Sequence, residues 1–204
     1  MNLKTTYIHP LLAVAVAVAV AVAVAVAGNS SAFASDPQST NATKTSGTLV
    51  TIAQLEVPRY MGTWFEIAKY PNWFQKKCVS DTRANYSLQA DGKVSVLNRC
   101  VTRDGEVSEA IGEARQVGGI TSPRLEVRFA PSWLSFIPLV WGNYWVIDLD
   151  PDYRLVAVSE PKREYLWVLS RTPEVNAKAY DELLTRLEKK GFDLGKLERT
   201  RHGK

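Results

Sequence analysis

The chain has 204 residues, with 25 Lys and Arg against 21 Asp and Glu, a net charge of +4. That balance is too mild to point to nucleic acid and allows only a slight attraction to anionic surfaces. Two histidines, His9 and His202, bracket the chain and none lies between them, which excludes histidine-based triads, histidine proton shuttles, proximal-histidine haem and the usual zinc ligand sets.

The first element is not part of a fold. Leu11 to Ala27 is an unbroken apolar run of mostly alternating Ala and Val. Gly28 to Ser31 interrupts it, and Ala32-Phe33-Ala34 forms an A-x-A site before Ser35. Residues 1–34 match a secretory signal peptide; an uncleaved membrane anchor is the alternative, since the run is near the lower limit for spanning. No cysteine follows the site, which argues against a lipid-anchored lipoprotein. Residues 35–50 begin SDPQSTNATKTSG, with nothing to bury, and are expected to form a flexible linker. Residues 51–204 are then one domain of about 150 residues.

That domain shows strand-length segments separated by turn signals. Met61–Tyr70 ends at Pro71. In Ser80–Leu88, Ala84, Tyr86 and Leu88 alternate with Arg83, Asn85 and Ser87. Asp91-Gly92 is a hairpin signal, and Lys93–Cys100 alternates again. Asp104-Gly105 precedes Val107–Val117, and Arg124–Phe129 follows. Asn143–Leu149, Tyr153–Val158 and Tyr165–Arg171 complete eight strands in hairpin succession. The pattern predicts an all-β fold, an eight-stranded antiparallel up-and-down β-barrel, just wide enough for side chains or one small ligand. One amphipathic α-helix comes after it. Thr172 is placed to cap it, with Pro173 at the first position and Glu174 in the first turn. Tyr180, Leu183, Leu184 and Leu187 share one face, and Lys189-Lys190-Gly191 supplies the stop.

Chemistry-bearing clusters are sparse. Asp148, Asp150 and Asp152 resemble a calcium loop but lack the glycine and glutamate such a loop requires, so they read as acids on a turn. Glu106, Glu109 and Glu113 are scattered by strand alternation. No metal site, cofactor or catalytic residue is expected.

Gly62-Thr63-Trp64 at the first strand and Leu166-Trp167-Val168-Leu169-Ser170-Arg171-Thr172-Pro173 at the eighth resemble the lipocalin signature. Across Val57 to about Thr200, the segments GTWFEIAKYPNWFQ, DTRANYSLQADGKVSVLN, GNYWVIDLDPDY and YLWVLSRTP resemble the bacterial lipocalins, the plant temperature-induced lipocalins and apolipoprotein D. The resemblance implies structural roles for Gly62, Trp64 and Arg171, with the Arg171 guanidinium over the Trp64 ring. Strand parity starting from Arg171 then turns Trp167 and Leu169 inward; Asn85, in an Asn-x-Ser context, faces out, which turns Tyr86 inward, and by the same alternation Val96 and Asn98 line a cavity. On the sixth strand Trp145 and Ile147 are the expected inward pair, Tyr144 taking that role if the register slips by one. A packed core at these positions is the alternative to a pocket.

Cys78 and Cys100 pose a geometric problem. With Asp91-Gly92 as the turn, Cys100 falls opposite residue 83, too far from Cys78 for a disulfide. The chain before Ser80 folds back, or a bulge shifts the ladder, or the thiols stay apart. Apolipoprotein D uses a cysteine at this place to reach its C-terminal segment, where this chain has none. Export disfavours free thiols, so a Cys78–Cys100 bond is expected.

The function implied by the resemblance is non-enzymatic: an exported, periplasmic or outer-membrane-associated carrier of a small hydrophobic ligand such as a fatty acid or lysophospholipid. A lipocalin-fold enzyme acting on a lipid or isoprenoid, or a pigment or tetrapyrrole binder, is the alternative. The loop APSWLSFIPLVW falls between the fifth and sixth strands, at the open end of the barrel in this family. Trp133, Leu134, Phe136 and Ile137, with Trp141, suit a membrane interface; a lid over the mouth or a homodimer contact is the alternative. Arg83, Arg124 and Arg128 are candidates to meet a polar ligand head there.

Overall fold

The computed structural model describes residues 47–131 and 134–203. The expected leader, most of the linker, and Trp133 lie outside them. Strands β1 (Gly62–Lys69), β2 (Cys78–Leu88), β3 (Val94–Thr102), β4 (Val107–Gln116), β5 (Arg124–Arg128), β6 (Gly142–Leu149), β7 (Leu155–Ser159) and β8 (Leu166–Ser170) follow one another. Each pairs antiparallel with the next, and β8 returns to β1. The ring closes because β1 also pairs with β2 over four positions, from Gly62–Tyr86 to Phe65–Arg83. This is the closed eight-stranded up-and-down barrel. A short helix α1 (Val57–Tyr60) precedes β1, and helix α2 (Ala177–Lys189) packs outside.

Turn chemistry sets the hairpins. Gly92 and Gly105 sit at φ 81° and 79°, a region that costs other residues their Cβ contacts. The Asp91 carboxylate accepts the Lys93 amide at 3.1 Å. Between β2 and β3 the ladder runs regularly from Leu88–Val94 to Arg83–Arg99, then shifts twice to reach Ser80–Val101 and Cys78–Thr102. These bulges remove the offset that made the cysteine pair look unreachable. The Cys78 and Cys100 Cα atoms come within 5.5 Å, and the two are joined as a disulfide.

Two apolar clusters share the barrel wall. Trp64, Tyr86, Val94, Val96, Leu125, Val146, Val156, Val158 and Leu169 point inward. Ile67, Ile147, Leu155, Ala157, Leu166 and Val168 point outward, under Tyr180, Leu183 and Leu187 of α2. All five residues of β7 are buried, since one face meets the interior and the other meets the helix.

One sequence-based expectation, the helix cap, is corrected. The cap of α2 is Asn176, whose side chain accepts the Ala179 amide at 3.1 Å; Thr172 instead bonds the Glu174 carbonyl. Asn176 stands four residues before Tyr180, where the buried face of the helix begins, and Val175 just outside packs into the same cluster, as in a hydrophobic staple. Residues just before 51 also make packed contacts. Leu49 is buried under the helix, and the Gly47 carbonyl accepts from Arg163. Beyond the eight barrel strands, a short strand β9 (Glu198–Arg199) pairs with the far half of β1.

Candidate functional site

The barrel encloses a cavity of about 950 Å³, at the upper end of the range for small-molecule sites. Its closed end is built from the chain leading into β1. Trp64 is fully buried, and its indole N–H donates to the Tyr60 carbonyl at 2.8 Å. The Arg171 guanidinium lies 3.9 Å from the Trp64 ring centroid and donates to the carbonyls of Thr63, Tyr153 and Arg59. This is the arrangement the family resemblance implied. The Tyr153 hydroxyl accepts the Glu56 amide, and Arg59 stacks on the Tyr153 ring.

Above this plug stand three phenols. Tyr60 Oη lies 2.7 Å from Tyr144 Oη, and Tyr86 Oη lies 3.1 Å from the same atom. Burial raises all three pKa values, that of Tyr86 to about 12 and those of Tyr60 and Tyr144 well above the ordinary range. The mid-section is apolar, formed by Val94, Val96, Ala114, Leu125, Val127 and Leu169, with Asn98 the polar exception. Near the mouth, Gln75 links three elements: it donates to Glu66, and its carbonyl accepts from the Trp167 indole and from Asn72. Glu66 also accepts from Thr200 of the C-terminal segment. Burial pushes the Glu66 carboxyl above the usual carboxylate range, against the opposing effect of these hydrogen bonds.

The C-terminal segment completes the wall where β1 and β2 part. The Thr200 amide donates to the Ile67 carbonyl, and the Asp81 amide to the Arg201 carbonyl. His202 lies 2.7 Å from the Glu66 carbonyl oxygen and packs edge-on against Phe65. The tail histidine is therefore part of the barrel wall, which strand alternation gave no means of seeing.

Of the expected lining residues, Tyr86, Val96, Asn98 and Trp167 border the cavity. Trp145 and Ile147 do not: they pack outward into the cluster beneath α2, while Tyr144 and Val146 face in. The helix makes both faces of β6 apolar, so alternation could not tell inside from outside. Tyr60, which precedes the first strand, and Glu66, a buried acid on β1, were also missed.

At the mouth, Phe136 and Leu139 are 77% and 93% exposed, whereas Leu134 and Ile137 are half-buried. Trp141 departs from its expected membrane-facing role. Its indole donates to the Ser135 carbonyl at 2.8 Å, and its ring lies 4.1 Å and 5.2 Å from the Arg115 and Arg128 guanidinium carbons. Arg128 is buried against Glu113 and the Ala130 carbonyl, and Arg124 stacks on Trp145 outside, so neither reaches a ligand head. The opposite lip, between β1 and β2, presents Trp73, 73% exposed, and Phe74. Adjacent aromatics just after Pro71, outside any strand, were the available signal.

A family model described as a lipocalin-like domain matches residues 55–202. Temperature-induced lipocalin-1 of Arabidopsis thaliana is 40% identical over 148 residues, covering 72% of this chain and 78% of the relative. Outer membrane lipoprotein Blc of Escherichia coli (strain K12) is 36% identical over 146 residues, covering 71% and 78%. Among solved structures, the cockroach allergen Per a 4 superposes with a TM-score of 0.58 at 18% identity, covering 77% of this chain and 93% of the other. The chain belongs to the lipocalin family, whose members bind small hydrophobic ligands.

Proposed function

We propose that this protein is an exported, non-enzymatic carrier of an amphiphile with a long apolar tail, such as a fatty acid or lysophospholipid, loaded and released at a membrane surface. The observation that carries the proposal is the cavity itself, about 950 Å³, apolar through its mid-section and open between two lips that expose Trp73, Phe136 and Leu139. Burying an acyl chain contributes roughly 0.8 kcal/mol per methylene, so ten methylenes provide about 8 kcal/mol before the costs of ordering. The polar head then remains at the mouth, where Lys77 and Lys162 border the opening. Exposed aromatic and aliphatic side chains around an opening suit insertion into the acyl boundary of a bilayer. Export is supported by the N-terminal apolar run and A-x-A site, by a disulfide, which persists in oxidising compartments, and by the outer-membrane location in the Blc name. Native mass spectrometry of the protein from its host, followed by lipid extraction, is the test. A copurifying amphiphile that a fluorescent fatty acid displaces supports the carrier; no copurifying lipid and no uptake of the fluorescent probe rejects it.

A further inference from the structure

The phenol cluster at the closed end has one more hydrogen than it can use. Tyr60, Tyr86 and Tyr144 bring three hydroxyl hydrogens to two contacts, both made to Tyr144 Oη. Whichever oxygen donates in each contact, one hydrogen is left without an acceptor among the described residues. The Tyr60 carbonyl accepts from the Trp64 indole and from none of the three phenols. Rotation offers little relief, because Tyr60 stacks on Tyr86 with ring centroids 5.7 Å apart and leans on Trp64 at 4.9 Å. A donor that a bound ligand closes off from water without an acceptor costs about 1–3 kcal/mol. The cluster borders the cavity at the end farthest from the lips, so the inner end of a ligand is what meets it. The raised pKa values keep the three groups neutral and able to donate.

We infer that the Tyr60–Tyr86–Tyr144 cluster is a recognition point for a carbonyl oxygen at the inner end of the ligand, so that the protein prefers oxo-lipids, apolar chains carrying a ketone far from the head, over plain acyl chains. This inference rests on the carrier reading above. A ketone accepts the surplus hydrogen in one contact and brings none of its own. A hydroxyl needs a second contact to place its own hydrogen, and a plain methyl end leaves the donor open. A carboxylate at that depth would lose its hydration among apolar walls.

The test is displacement of a fluorescent fatty acid from the full-length protein by hexadecanoic acid and by the same acid with a ketone at its penultimate carbon. The ketone should displace the probe at about 2- to 10-fold lower concentration, the span of one net hydrogen bond. In the triple variant Tyr60→Phe, Tyr86→Phe, Tyr144→Phe that preference for the ketone should be lost or reversed, because a carbonyl buried without a donor is disfavoured. Should the triple variant not fold, infrared spectroscopy of the ¹³C-labelled ketone in the unaltered protein gives an independent answer. Its carbonyl band should lie below the position it takes in an alkane. Equal displacement by both acids with an unshifted band overturns the inference, as does a preference that survives in the folded triple variant. Failure of both acids to displace the probe overturns the carrier reading instead.

Discussion

The Arg171 guanidinium carbon stands 3.9 Å above the centre of the Trp64 ring, and its nitrogens reach three carbonyls on three separate segments. One side chain thus joins the end of β8 to the start of β1, to helix α1 before it, and to the turn between β6 and β7. Trp64→Ala removes the fully buried ring that this cation covers. The expected loss is about 3–5 kcal/mol, or a fall of ~10 °C in the melting temperature. Thermal circular dichroism checks this, and an unchanged melting temperature contradicts the placement. Arg171→Lys keeps the charge but not the planar fork, so it should also destabilise, by less.

The Cys78–Cys100 bond spans a sequence separation of 22. Closing a loop of that size in the unfolded chain contributes about 3 kcal/mol in the chain-entropy model. Unreduced, unfolded protein should show no free thiols, and reduction should lower the urea midpoint. Two titratable thiols before reduction would refute the bond.

A residue beneath the helix and a residue facing the cavity should have different phenotypes. Ile147 is 1% exposed beneath α2, so Ile147→Ala should cost about 2–5 kcal/mol of stability and leave ligand affinity unchanged. Val96 lines the cavity; Val96→Phe should weaken ligand binding while changing stability far less. Fluorescent-ligand titration alongside chemical denaturation separates the two. Loss of affinity in Ile147→Ala would place that side chain inside the barrel.

The exposed lips predict how the protein meets a bilayer. Replacing Trp73, Phe136 and Leu139 together with Ser should abolish flotation with liposomes and leave binding of a soluble fatty-acid probe intact. Trp141→Ser, by contrast, removes the ring held between Arg115 and Arg128, and should loosen the β5–β6 loop and lower stability. Undiminished liposome binding in the triple Ser variant would exclude the lips as the docking surface.

Alkaline pH probes the phenol cluster. The unfolded chain ionises its tyrosines near 10, whereas burial lifts Tyr86 to about 12 and Tyr60 and Tyr144 well above the ordinary value. Folded pKa values above unfolded ones mean that the stability carried by the neutral phenols is fully present below pH 10 and is lost as pH rises through the folded values. Unfolding followed by circular dichroism should therefore set in between pH 10 and 12, and Tyr→Phe at the three positions should move that midpoint upward. An alkaline midpoint that does not move would show that the cluster ionises freely.

Much of this architecture is legible before folding is considered. The alternation in β2 and β3, the two Asp-Gly turns and the single amphipathic helix are local patterns, set by backbone periodicity and glycine's access to positive φ, and they specify an antiparallel meander. The lipocalin motifs add the Trp64–Arg171 plug. What local pattern could not decide is anything depending on which surface meets which. Both faces of β6 are apolar, so alternation alone does not separate Trp145 and Ile147 from Tyr144 and Val146, and only the docking of α2 shows which face it covers. The disulfide depended on two bulges whose positions reflect the bend of the whole ladder. His202 and Thr200 join the wall because β1 and β2 separate toward the mouth, leaving an edge for the tail to fill. The phenol cluster assembles Tyr60, Tyr86 and Tyr144 from three distant segments. Burial, pairing and donor counts of that kind are properties of the closed barrel, because they arise only when chain segments far apart in sequence are brought within a few ångströms.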